Sequence, residues 1–218
     1  MYFCSKIKTL ILLLILPPLF VSAQANKNLF LRVNLGLSTP VQRDAGWDFR
    51  GKGININGDI GYKLNHIINL KSTIGYTTFP FDSDFYFENT AFAVEPDRVE
   101  SGATKIVAFT GGIEIKLSGE KNKFFLYGNF GVFRAEQKSL KLYYDTGEVS
   151  VIQRDTKDGL TYDLGLGVYI PLKTGFSTII SFGYRSIMRK GIDVGDLRAH
   201  TRQSMRDLLL KLGLSTDI

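Results

Sequence analysis

The chain has 218 residues, 44% of them hydrophobic and 22% charged, with a formal charge of +6. These are ordinary globular proportions, enough for one domain with a sizeable core. The 27 basic residues are scattered among 21 acids rather than gathered on an arm or helix, which argues against nucleic acid as a partner, and a single cysteine excludes a disulfide framework.

At the N-terminus Lys6 and Lys8 precede an apolar run, residues 9–21, broken only by Pro17 and Pro18. This is the layout of a secretory signal. Small residues then stand at peptidase spacing as Val21-Ser22-Ala23 and again as Ala23-Gln24-Ala25, and the cut is placed after Ala23. The rival, an uncleaved anchor, needs about 20 helical residues and the run is shorter. Residues 1–23 are therefore expected to be a signal peptide and 24–218 the mature domain. Cleavage removes Cys4 and lowers the formal charge to +4. No later apolar run approaches helical spanning length, so a membrane crossing by the mature chain must use strands.

Strands that face lipid on one side and a filled interior on the other alternate apolar and polar residues. Residues 29–37 set Leu29, Leu31, Val33, Leu35 and Leu37 against Phe30, Arg32, Asn34 and Gly36. Residues 53–64 set Ile54, Ile56, Ile60, Tyr62 and Leu64 against Asn55, Asn57, Asp59 and Lys63. The third segment, 67–79, sets Ile68, Leu70, Ile74 and Tyr76 against Asn69, Lys71, Thr73 and Thr77. The fourth, 105–117, sets Val107, Phe109, Ile113, Ile115 and Leu117 against Thr110, Glu114 and Lys116. In the fifth, 124–134, both faces carry aromatics; Asn129 puts Phe125, Tyr127 and Phe133 inside and Phe124, Leu126, Phe130 and Val132 outside. The sixth, 159–170, alternates Leu160, Tyr162, Leu164, Leu166, Val168 and Ile170 with Thr161, Asp163, Gly165 and Gly167. The seventh, 176–185, sets Phe176, Thr178, Ile180, Phe182 and Tyr184 against Ser177, Ser181, Gly183 and Arg185. The last, 206–215, sets Leu208, Leu210, Leu212 and Leu214 against Asp207, Lys211 and Gly213.

Alternation also suits a soluble sandwich or lipocalin, so the connections discriminate. Long polar stretches, 38–52, 80–104, 135–158 and 186–205, follow the odd segments, and brief ones near 65–66, 118–123 and 171–175 follow the even segments. Long loops at one end and tight turns at the other are the arrangement of an outer-membrane barrel. Aromatics near strand ends fit its interfacial girdles: Tyr62, Phe124, Tyr169 and Phe176 beside the short turns, and Tyr76, Phe79 and Tyr162 beside the long loops. Glycines inside strands, among them Gly61, Gly165 and Gly183, relieve crowding in tightly curved ones. The expected fold is all-β: about eight antiparallel strands in an up-and-down transmembrane barrel.

This pattern resembles the small outer-membrane β-barrel proteins labelled OmpA-like or porin-like, and the resemblance covers the whole mature chain. Lys211, Gly213 and Ile218 look like the family's C-terminal assembly signal, with Thr216 where an aromatic is usual. The resemblance implies recognition by the barrel-assembly machinery and a place in the outer membrane of a Gram-negative bacterium.

Small barrels of this kind can be lipid-modifying enzymes, which makes the histidines candidate bases. His66 falls in a short turn and is read as solvated. His200 lies in the last long loop with Asp196 and Ser204 four residues either side, which along an extended chain is roughly 13 Å and out of hydrogen-bond reach. Asp82, Asp84 and Glu88 could hold calcium, but a solvated loop is the expectation. No catalytic, cofactor or metal residue is therefore assigned, and the protein is read as no enzyme. Tyr143, Tyr144 and the alternation over 140–152 suggest a hairpin that extends the barrel wall and offers a surface to an extracellular protein or ligand.

The inward charges come in both signs, Arg32, Lys63, Lys71, Lys116, Arg185 and Lys211 against Asp59, Glu114, Asp163 and Asp207. Buried charges must be paired or hydrated, so an internal network that plugs the lumen is expected. The leading function is structural or interactive, through four long extracellular loops, with outer-membrane lipids and lipopolysaccharide as surroundings. A lipid A or phospholipid enzyme using His200, and a narrow porin-like channel, are the alternatives. Arginine is expected to be costly at Leu166, on the lipid face, and cheaper at Thr161, on the lumen face near the rim.

Overall fold

The computed structural model describes residues 28–42, 49–90, 95–117, 123–153, 156–172, 175–189 and 204–218. The eight alternating segments become eight long strands: β1 (Leu29–Gln42), β2 (Gly53–Lys63), β3 (Ile68–Phe79), β5 (Thr104–Leu117), β6 (Lys123–Glu136), β9 (Lys157–Pro171), β10 (Phe176–Arg189) and β11 (Ser204–Asp217). Three short strands, β4 (Arg98–Ser101), β7 (Leu140–Tyr143) and β8 (Val149–Ile152), and one helix, α1 (Ser83–Asn89), lie in the long connections. The long strands close in the order β1-β11-β10-β9-β6-β5-β3-β2, every pair antiparallel. Closure removes the open edges that lipid could not satisfy.

Register sets the width of the barrel. Stepping between paired residues from Arg134 through Val107, Tyr76, Ile56, Leu35, Leu212, Ile180 and Val168 returns to β6 at Phe124, ten residues from the start. With a strand spacing of about 4.8 Å and a rise of about 3.3 Å per residue, that stagger tilts the strands by about 40° and gives a radius of about 8 Å. A tube so narrow is filled by its own side chains.

The faces follow the alternation. Val33, Leu35, Ile56, Ile74, Phe130, Leu164, Leu166 and Leu212 are half-exposed or more on the outside. Asn34, Asn57, Asp59, Thr73, Glu114, Asn129 and Asp163 are buried within. Glycine on the inner face answers the aromatics of β6 as well as the curvature. A methyl at Gly165 would lie 2.6 Å from Tyr127 Cζ and against the Phe182 carbonyl, so the tyrosine ring occupies the space that a side chain would need.

Several expectations are corrected. Phe79 and Tyr169 are no girdle residues: Phe79 is fully buried under the Arg50 guanidinium, and Tyr169 turns inward to Glu114. Leu29 is buried at the seam, where the Ile218 N–H donates to its carbonyl (3.0 Å). Thr161 faces the lumen as expected, but it is 1% exposed and its hydroxyl donates to the Ser186 carbonyl (3.1 Å), so the packing there does not suit the low arginine cost expected of it. The strands also run further into the long connections than the alternation suggested, β1 to Gln42 and β10 to Arg189. The 140–152 hairpin forms, but as a separate three-stranded sheet, β4-β7-β8, instead of a continuation of the wall.

Candidate functional site

Two polar clusters and a bridging layer fill the interior. Toward the short-turn end, Arg32 of β1 reaches across the lumen, where Nη2 donates to Glu114 Oε2 (3.0 Å) and Nη1 stands 3.5 Å from Asp59. Glu114 Oε1 accepts from the Tyr169 hydroxyl (2.6 Å) and from Asn69 Nδ2 (2.9 Å). Strands β1, β2, β3, β5 and β9 are thus tied through one arginine–carboxylate pair. The Arg32 guanidinium also lies 5.3 Å from the Phe30 ring and 5.6 Å from the Phe125 ring. Midway, Lys211 Nζ is 3.6 Å from Asp163, which also accepts from Asn129. Lys71 sits over the Tyr127 ring at 4.4 Å.

Toward the long-loop end, Asp207 receives Arg185 Nε (3.1 Å) and Nη2 (2.7 Å), and Arg185 Nη1 donates to Thr77 (2.9 Å). The second cation on Asp207 is Arg50, 3.1 Å away, 1% exposed and stacked 4.4 Å above the Phe79 ring. Arg50 comes from the first long connection, where no periodicity marked it. It is held there because that connection is zipped to the next: the Gly51 N–H donates to Pro80 O and the Asp82 N–H to Phe49 O, both at 2.8 Å. Between the two clusters the lumen cavities measure about 10 and 20 Å³, each with room for about one water.

Above Arg50 stands a second, smaller core. Phe49, Tyr86 of α1, Val99 of β4, and Leu140 and Leu142 of β7 are all buried together, with Phe81, Phe85, Phe87 and Tyr144 packed against them. Phe49 and Tyr86 meet edge to face at 4.6 Å. Segments from three long connections therefore share one apolar cluster on the far side of the mouth. The rim of its sheet is charged and aromatic: Tyr143 donates to Glu100 (3.1 Å), and Arg98 lies over the Tyr143 ring at 4.7 Å. The outer strand β8 is exposed along its length, with Val149, Val151 and Ile152 near half-exposure. The Asp97 carboxyl is raised above its ordinary value, by loss of solvent first and by the neighbouring Asp145 carboxylate second.

The residues singled out in the sequence separate clearly. The inward charges converge as expected, except that Lys63 and Lys116 stand at the short-turn mouth, Lys63 bound to Asp217. His66 is exposed in its turn, which Asn65 organises by accepting from the Ile67 (2.8 Å) and Ile68 (2.7 Å) N–H groups. His200 and Asp196 lie outside the described residues, and Ser204 begins β11. Asp82 is the N-cap of α1, accepting from the Phe85 N–H (3.1 Å), and Asp84 is in its first turn; no group of metal-ligating side chains occurs among the described residues.

No protein-family model matches the chain, and no curated protein matches it. Solved structures do. The attachment invasion locus protein Ail of Yersinia pestis superimposes with a TM-score of 0.50 at 15% identity, over 85% of this chain and 97% of that one. Neisserial surface protein A gives a TM-score of 0.48 at 15% identity, over 88% and 98%. A major outer membrane protein of Thermus thermophilus gives 0.49 at 11% identity, over 87% and 99%. The fold is that of the small outer-membrane β-barrels.

Proposed function

We propose that this protein is exported by its N-terminal segment, inserted in the outer membrane, and serves there as a blocked barrel that holds a loop-built sheet outside the cell. The observation that carries this reading is the second core. A membrane anchor has no use for an aromatic cluster beyond its mouth, whereas a surface that must keep its shape in water does. The interior supports the other half: paired charges, an arginine seated in the upper mouth and cavities of single-water size suit a rigid mount better than a passage for solutes. Partners are then met by the sheet, and Lys105 and Arg206, exposed near the long-loop ends of their strands, suit the phosphates of surrounding lipopolysaccharide.

The test exchanges residues 140–152 for a short Gly-Ser turn. The barrel should still appear in the outer-membrane fraction and migrate anomalously on gels unless boiled, while any surface binding carried by the intact protein is lost. Failure of the exchanged chain to form a heat-modifiable barrel would make the sheet a brace for the wall and not a displayed surface. Planar bilayers containing wild-type protein should show no steady conductance; a stable open channel would overturn the blocked-lumen reading.

A further inference from the structure

The short-turn mouth of the barrel opens on a cavity of about 120 Å³, roughly ten times what one water needs. Three lysines line it from three strands, Lys63 of β2, Lys116 of β5 and Lys123 of β6. The carboxylate among its lining residues is Asp217, which Lys63 already holds. Lys116 and Lys123 make no ion pair among the described residues. Glu114, two residues from Lys116, accepts from Arg32, Asn69 and Tyr169 instead. Lys116 is half-buried with its ammonium 5.9 Å from the Tyr169 ring and Lys123 is exposed, so two ammonium groups with three donors each stand without a carboxylate of their own in a mouth that closes to single-water cavities a little deeper.

The buried wall of the cavity adds a requirement. Asn69 is 1% exposed, and its orientation is set because Nδ2 donates to a carboxylate, which can only accept. Its Oδ1 thus has to be the acceptor, and it has no donor among the described residues. An unmet buried acceptor is unfavourable and is relieved by a ligand that brings a proton. The Ser215 hydroxyl, which donates to the Leu31 carbonyl (3.2 Å), offers further lone pairs to such a donor. Charge calls for an oxyanion, and the orphan acceptor calls for one that also donates.

We infer that the short-turn mouth is a binding site for a phosphate group accompanied by a hydroxyl, either free hydrogenphosphate or the headgroup of an anionic glycerophospholipid. The negative oxygens meet Lys116 and Lys123, and the hydroxyl meets Asn69. The single-water cavities beyond stop the ligand at the mouth. This site lies at the opposite end of the barrel from the loop sheet and stands or falls independently of it.

The test titrates the complete refolded barrel with inorganic phosphate by calorimetry, in maltoside micelles that contain no phosphate, at low salt and pH 7. Saturable binding is expected, and Lys116→Gln with Lys123→Gln should weaken it at least tenfold while gel mobility still reports a folded barrel. Sulfate, which has the charge but no proton at this pH, should bind the wild type at least tenfold more weakly. Repeating the titration in phosphatidylcholine nanodiscs with and without phosphatidylglycerol separates the sources. Weaker phosphate binding with phosphatidylglycerol present makes the headgroup the occupant, and unchanged binding makes it the free anion. No saturable binding in any arm, or full affinity in the double variant, would overturn the site; equal binding of sulfate would overturn the assignment to phosphate.

Discussion

Arginine scanning along one face of β9 tests the membrane embedding most directly. Leu166 and Leu160 both point outward, 54% and 45% exposed, on a strand of 15 residues ending at Pro171. At a rise of about 3.3 Å and a tilt of about 40°, each residue climbs about 2.5 Å along the barrel axis. Leu166, five residues from Pro171, therefore stands about 13 Å above that end, and Leu160 about 28 Å. A lipid band of about 25 Å puts Leu166 at the midplane and Leu160 at the far interface. Leu166→Arg should cost about 2–4 kcal/mol and Leu160→Arg about 0–1 kcal/mol, because only the first must strip its charge of water or drag water inward. Unfolding midpoints in urea, read by circular dichroism in lipid vesicles, give both numbers from one host. Thr161 is not a usable cheap control, since its packed side chain would add overpacking to the electrostatic term. Equal costs at Leu166 and Leu160, or less than about 1 kcal/mol at Leu166, would refute the embedding.

Other perturbations address the interior and the sheet. Arg32→Met leaves Glu114 and Asp59 without their shared cation and should destabilise the barrel by about 3–5 kcal/mol; adding Glu114→Leu should recover part of that in the same urea assay. Gly165→Val drives a side chain into the Tyr127 ring and the Phe182 carbonyl and should cost about 1–3 kcal/mol; a double-mutant cycle with Tyr127→Ala should recover the part due to the ring and leave the part due to the carbonyl. Because the Asp97 carboxyl is raised in the folded sheet, the repulsion from Asp145 is absent at low pH and grows as pH rises through the folded value. Hydrogen-exchange protection of β4 and β7, corrected for intrinsic rates, should accordingly fall from acid to neutral pH, and Asp145→Asn should flatten that dependence. His200→Ala should leave the lipid A and phospholipid of expressing cells unchanged; an alteration made by the wild type and abolished in the variant would restore the enzyme reading.

Strand number, face and the two unlike ends are legible in the sequence because each rests on a local rule. A period of two needs only neighbouring residues, so Leu164 and Leu166 declare their face without help, and the lengths of connections are simply counted. The pool of inward charges is legible for the same reason, since each lies at an even step from a polar neighbour. Which charges pair is not. Arg32 and Glu114 are 82 residues apart and meet because the barrel closes with a ten-residue stagger. Tyr169 and Phe79 pass for girdle residues because an aromatic at a strand end looks alike whether it serves an interface or a lumen, and only the register says what stands opposite. Arg50, Phe49 and Tyr86 carry no signal, because the first two long connections have no period; the alternation over 140–152 marks a hairpin but not its burial, which comes from Phe49, Tyr86 and Leu140 meeting from three separate connections above the mouth. Composition along the chain determined a barrel wall; only the closed tertiary structure decided what fills it, what caps it and which lysines at its far end make no ion pair among the described residues.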